Sequence, residues 1–252
     1  IKCRYSGLKP DAAVIVATIR ALKSHSGKYK IVAGKPLPPE MLENSVADVE
    51  AGAANLRKQI ENVKLHGVTP VVAINAFETD HPEEIEAVKR IAIESGALGA
   101  AVSTHWADGG KGAIELAEMV VAAAEEPSEF KFLYDLDQPI KAKIETIAKK
   151  IYGAEDVRFE PFAEQQIAAY EANGFGNLPI CMAKTHLSLS HDPTLKGAPT
   201  GFTLPIREVR ASVGAGFIYP ICGDMRTMPA LPEHPAAERV DIDENGNVVG
   251  LF

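Results

Sequence analysis

Ala12-Ala13-Val14-Ile15-Val16-Ala17 is an unbroken apolar run, followed by a helix-like segment from Thr18 to His25. A run of strand length with no polar alternation predicts a strand buried on both faces, as in a parallel sheet. The pattern then recurs. Pro38-Pro39 opens a long helical stretch to about Leu65, which Gly67 closes as a C-terminal cap would. Val68 to Asn75 is a second apolar run, and Pro82 to Ser95 a second helix with Glu83 and Glu84 in its first turn. Leu98 to Ser103 with Gly112 to Glu125 forms a third unit, and Phe130 to Tyr134 with Ile140 to Tyr152 a fourth. This alternation predicts an α/β fold of βαβ units on a mostly parallel sheet, with ligands gathering where strands end and helices begin.

From about Leu178 the texture changes, with frequent Gly and Pro and strand-like pieces at Pro179 to Ala183, Phe202 to Ile206 and Gly216 to Ile221. A smaller C-terminal α+β domain is expected there. The tail from Arg239 to Phe252 reads as a hairpin turning at Glu244-Asn245-Gly246-Asn247.

The 252 residues are 46% hydrophobic and 24% charged, ordinary globular composition. A net charge of -8 argues against a general nucleic-acid binder, whose footprint is basic. Cys3, Cys181 and Cys222 lie far apart without CxxC spacing, so neither a disulfide framework nor a structural zinc site is expected and a reducing compartment is. His186 and His191 are poorly spaced for a shared metal, and no metal site is expected. No apolar run has transmembrane length. The chain opens on Ile1 and enters an apolar run almost at once, which predicts that more polypeptide precedes it.

Three loops could carry chemistry. Asn75-Ala76-Phe77-Glu78-Thr79-Asp80 and Thr104-His105-Trp106-Ala107-Asp108-Gly109-Gly110-Lys111-Gly112 follow predicted parallel strands, and each sets a large aromatic among small and polar residues. Phe77 and Trp106 could sandwich a flat heterocycle, or they could plug the end of the sheet. Lys111 lies among glycines, but GxxxxGK[ST] is absent and a solvated lysine is the plainer reading. Lys2-Cys3-Arg4-Tyr5-Ser6-Gly7-Leu8-Lys9-Pro10-Asp11 offers cations and hydroxyls suited to phosphate or a purine, or is an exposed connection.

These stretches, together with Leu178-Pro179-Ile180-Cys181-Met182-Ala183-Lys184-Thr185, Arg207-Glu208-Val209-Arg210-Ala211-Ser212-Val213-Gly214-Ala215-Gly216-Phe217-Ile218, Gly223-Asp224-Met225-Arg226-Thr227-Met228-Pro229 and the closing Gly250-Leu251-Phe252, resemble formate–tetrahydrofolate ligase in order along the whole chain. Thr185-His186-Leu187-Ser188-Leu189-Ser190-His191 is similar to the synthetase part of eukaryotic C1-tetrahydrofolate synthases. The resemblance implies the C-terminal part of a multidomain, phosphate-loop ligase. Residues 1–57 would end the nucleotide-binding domain, 58–200 form an α/β folate-binding domain, and 201–252 a small C-terminal domain.

The implied reaction is ATP-driven. Formate becomes formyl phosphate, and N10 of tetrahydrofolate takes the formyl group to give 10-formyltetrahydrofolate. Phe77 and Trp106 match the family's pterin-stacking pair, and Val102 an apolar residue of the same pocket. Many members carry Arg and Pro where this chain has Ala76 and Glu78, so Glu78 changes the charge at the pocket rim. Arg4, Tyr5, Ser6 and Gly7 match a stretch near the nucleotide. The phosphate loop and the catalytic groups are expected upstream of Ile1, leaving this segment inactive alone. A free-standing folate- or purine-binding module is the alternative. The resemblance further implies Mg2+ with ATP, a monovalent cation, a homo-oligomer, small molecules as the only substrates, no membrane, and residence in the cytoplasm or the mitochondrial matrix.

Overall fold

The computed structural model describes residues 1–32, 35–225, 233–246 and 248–250. A short helix α1 (Lys2–Ser6) leads into strand β1 (Ala12–Ala17). Helix α2 (Ile19–His25) starts at once because the Thr18 hydroxyl accepts the Ala21 N–H at 3.0 Å, an N-cap. The long helix expected after Pro38 is three pieces. A 3₁₀ turn at Pro39–Leu42 comes first, then α3 (Val46–Gly52), capped by Ser45, and α4 (Ala54–Leu65). The glycine at the end of α3 has a packing cause, since a Cβ on Gly52 would stand 1.7 Å from the Leu22 carbonyl oxygen. Backbone of α3 thus lies directly on backbone of α2, which only glycine permits.

Strand β2 (Thr69–Asn75), helix α5 (Pro82–Glu94) and strand β3 (Ala100–Ser103) follow as expected. A short helix α6 (His105–Asp108) and helix α7 (Ile114–Glu125) complete the first unit. Its sheet is parallel in the order β1-β2-β3, with Ala17 opposite Ile74 and Asn75 opposite Ser103. One face buries Val72 and Ile74 against Ile19, Leu22, Val49, Leu56, Ile60, Val88 and Ile91. The other face lies under α7.

That cover is incomplete, and here the expectation of a doubly buried first strand fails. Val14 and Val16 are 44% and 66% exposed. β1 is an edge strand among the described residues, and the cover that α7 gives the sheet leaves these outer apolar positions in water. The expected strand at Phe130 to Tyr134 is also absent. Glu129 and Lys131 instead donate N–H bonds to the Gly67 and His66 carbonyls, and Phe130 stacks on His66 at 6.2 Å. These aromatics tie the connection to the α4–β2 turn rather than entering a ladder.

The second unit begins with helix α8 (Ile140–Lys150), then strand β4 (Asp156–Phe159) and helix α9 (Pro161–Ala172), neither of which the sequence pattern had predicted. Strands β5 (Thr203–Ser212) and β6 (Phe217–Cys222) close a mixed sheet, β4 parallel to β5 and β5 antiparallel to β6. Ile180 and Ala183 bridge to β6. Its core joins Ile140, Ile144, Ile167, Leu204, Ile206, Val209 and Ile218. The tail forms the expected hairpin, β7 (Asp241–Ile242) against β8 (Val248–Val249). Arg226 to Pro229, Leu251 and Phe252 of the family-like stretches, and Asn247 of the expected hairpin turn, lie outside the described residues. Both units alternate strands and helices, so the α/β class holds. Among the described residues no helix is long and apolar enough to cross a membrane.

Candidate functional site

The parallel order of β1, β2 and β3 sets three chain segments side by side at the carboxyl edge of the first sheet. They are Thr18–Arg20, Asn75–Asp80 and Thr104–Trp106. The ladder runs out with the Ala76 N–H donating to the Ser103 carbonyl at 3.1 Å, where the loops that follow β2 and β3 begin.

In the first loop the Phe77 N–H donates to Asp80 Oδ2 at 3.0 Å, and the Asp80 N–H returns a bond to the Phe77 carbonyl at 3.0 Å. These two bonds fold the loop into a tight turn and leave the Phe77 ring half-buried. The Arg20 guanidinium carbon lies 3.8 Å from the centre of that ring, and its Nη2 donates to Thr79 Oγ1 at 3.0 Å. Burial raises the Asp80 carboxyl above its ordinary range, while the Phe77 N–H and the nearby Arg20 charge oppose the shift. Glu78 is exposed at the rim.

In the other loop the buried Ser103 hydroxyl pairs with His105 Nδ1 at 2.9 Å, and Thr104 Oγ1 donates to Asp108 Oδ2 at 2.6 Å. Thr104 also donates its N–H to the Gly112 carbonyl at 3.0 Å. A Cβ on Gly112 would fall 2.5 Å from Thr104 Oγ1, so the glycine-rich stretch folds tightly back on Thr104. Trp106 projects from this frame. It is 56% exposed, yet its indole Nε1 donates to the Ala76 carbonyl at 3.1 Å, anchoring it across to the neighbouring loop. Trp106 and Phe77 make no aromatic contact with each other. Val102 is half-buried one strand over, level with Ile74.

The sheet edge therefore gathers Phe77, Glu78, Val102 and Trp106. It does not gather Arg4, Tyr5, Ser6 or Gly7. The Arg4 guanidinium lies 4.0 Å over the Phe132 ring and 4.9 Å over Tyr134, and donates to the Tyr134 carbonyl. The Tyr5 hydroxyl donates to the Gly216 carbonyl, Ser6 Oγ accepts the Leu8 N–H at 3.2 Å, and Gly7 caps α1. Arg4 borders a cavity of about 570 Å³ between the two units, which Val14, Ile15, Asn62 and Tyr134 also line. Among the described residues no hydrogen bond, ion pair or ring contact joins this group to Phe77, Val102 or Trp106.

One member of the sheet-edge site, Arg20, carries no signal in its own sequence neighbourhood, whereas Asn75 opens a loop that the sequence already singled out. Arg20 follows β1 in a helix that looks merely amphipathic, and Asn75 ends β2. Both hold a buried polar atom without a partner, Arg20 Nε and Asn75 Oδ1. The signal that could have found Arg20 is positional, since it follows a parallel strand just as Phe77 and Trp106 do. Among the described residues no group of three or more His, Cys, Asp or Glu side chains could hold a metal ion.

Residues 1–252 match the family model described as formate–tetrahydrofolate ligase. The chain is 66% identical over 251 residues to the formate–tetrahydrofolate ligase of Saccharopolyspora erythraea, covering 100% of this chain and 44% of that protein. The Cutibacterium acnes protein of the same name is 59% identical over 252 residues, covering 100% of this chain and 45% of the relative. Formate–tetrahydrofolate ligase 3 of Rubrobacter xylanophilus is 61% identical over 261 residues with the same shares. The chain thus spans less than half the length of these curated relatives.

Proposed function

The chain belongs to the formate–tetrahydrofolate ligase family, and from that premise we propose that it is the folate-binding part of a ligase that makes 10-formyltetrahydrofolate. ATP phosphorylates formate, and N10 of tetrahydrofolate then attacks the formyl carbon of formyl phosphate, releasing phosphate and losing its proton. The pterin ring lies between Phe77 and Trp106, beside Val102, with Glu78 at the rim. The observation that carries this reading is the exposed but anchored Trp106, hung on the loop of a fixed Phe77 with which it forms no ring pair. An aromatic left 56% in water while its N–H is held serves a ligand better than it serves a core.

Arg4, Tyr5, Ser6 and Gly7 face the nucleotide in this reading, from the far side of the first unit. Phosphoryl transfer is mostly positioning and charge stabilisation. The phosphate loop, the groups that clamp Mg2+-ATP and any monovalent cation site belong to the remaining length of the ligase. Alone, this chain binds folate without turning it over. The intact enzyme is a cytoplasmic homo-oligomer.

The test is Trp106→Ala in the intact ligase. Loss of area and stacking should raise KM for tetrahydrofolate by about 5- to 150-fold, corresponding to roughly 1–3 kcal/mol. KM for ATP should stay near its starting value. Equal losses for both substrates would make Trp106 a structural residue and remove the folate site from this sheet edge.

A further inference from the structure

We propose that Arg20 is a positioning residue of the folate site, one that fixes the Phe77 ring and leaves it a single face for the pterin; this rests on the folate reading above. The guanidinium covers one face of Phe77 at 3.8 Å, well inside cation–π range. It also grips the loop at Thr79 Oγ1 and lends its charge to the field around Asp80. The two bonds between the Phe77 backbone and Asp80 fix the loop that carries the ring.

Arg20, like Arg4, spends its charge on an aromatic face. Among the described residues it forms no ion pair, although partly buried arginines usually find a carboxylate. Its Nε is buried without a hydrogen-bond partner. The cation is committed to an aromatic face instead. Two consequences follow for the ligand. A heterocycle can stack only on the face of Phe77 turned away from Arg20. That face is also made less negative by the cation behind it, which favours the electron-rich ring of a reduced pterin over a cationic ligand. Because Arg20 acts through Phe77, its removal should weaken folate capture and leave the phosphoryl half of the reaction alone.

The experiment compares Arg20→Met, Arg20→Gln, Arg20→Lys and Trp106→Ala in the intact ligase, measuring kcat, KM for tetrahydrofolate, KM for ATP and Tm. Arg20→Met should raise KM for tetrahydrofolate about 10-fold, with kcat and KM for ATP changed less than about twofold. Arg20→Lys, which keeps the cation, should recover at least half of that loss on a logarithmic scale. Arg20→Gln keeps a donor for Thr79 and drops the charge, and should resemble Arg20→Met. It decides the matter if the methionine variant does not fold. An unchanged KM for tetrahydrofolate in Arg20→Gln, beside an impaired Trp106→Ala, overturns the role of Arg20 alone. Losses shared equally by both substrates, with a fall in Tm, overturn it in favour of a structural arginine. A normal Trp106→Ala overturns the folate reading itself and this inference with it.

Discussion

Glu84→Ala should be among the most damaging single substitutions in the first unit. Lys23 and Glu84 form an ion pair at 2.5 Å with side chains only 1% and 0% exposed. Lys23 Nζ donates further to the Met41 and Glu43 carbonyls at 3.0 and 2.6 Å. Glu84 accepts the Ser45 N–H at 2.7 Å and caps α5 through the His81 N–H at 3.4 Å. One carboxylate therefore ties α2, the 39–45 segment and α5 together. Removing it strands a buried cation between two carbonyls and orphans two backbone donors. Breaking a buried pair from one side costs about 3–5 kcal/mol, a large share of a total stability of roughly 5–15 kcal/mol. The double variant Lys23→Met/Glu84→Leu leaves no charge uncompensated and should regain at least about 1 kcal/mol over Glu84→Ala. Urea unfolding followed by the fluorescence of Trp106, the single tryptophan and a reporter placed on this same sheet edge, gives both numbers. A loss below about 1 kcal/mol for Glu84→Ala would refute the view that this pair organises the unit.

Two other expectations concern titration. The Tyr29 hydroxyl at 2.5 Å, then Lys28 Nζ at 2.9 Å, holds the Asp48 carboxyl down to about 2 from an ordinary 3.8. A depressed native carboxylate stabilises above its unfolded pKa and stops doing so as pH falls through the native one. Asp48→Asn should therefore cost stability at pH 7, and its gap to the wild type should close between about pH 4 and pH 2; a gap constant across that window would refute the pairing. Burial pushes the Cys222 thiol up to about 12, whereas Cys181 is exposed and Cys3 half-buried. A thiol-counting reagent at pH 8 should label Cys181 readily and reach Cys222 only after unfolding, and rapid labelling of all three in the native state would contradict this.

Much of the fold was legible because burial imposes a pattern on sequence. β2, β3 and α5 bury their apolar residues, so unbroken apolar runs and helical spacing marked them, whereas α7 shows the same spacing although it buries only Ala123 and leaves Ile114 and Val121 exposed. β4 and α9 escaped, since β4 has four residues and α9 packs with Ala163 and Ile167 among alanines spread around the helix. Phe130 to Tyr134 misled for the opposite reason. Its aromatics have strand composition, but they serve ring contacts with His66 and each other.

The candidate site divides in the same way. Phe77 and Trp106 could be picked out from sequence, because large aromatics in polar loops after predicted strands are out of place as core, and the family's stretches surround them. Sequence by itself also determined the strand-and-helix alternation and the membership that goes with it, since local periodicity and residue identity need no partner. Only the tertiary structure decided that β1 is half-exposed, that Trp106 hangs its N–H on Ala76, that Arg20 covers Phe77, and that Arg4 to Gly7 face elsewhere. Each of those facts depends on which segments the parallel strand order brings side by side. Residues separated by 57 positions, as Arg20 and Phe77 are, meet through that order and leave no trace in local sequence.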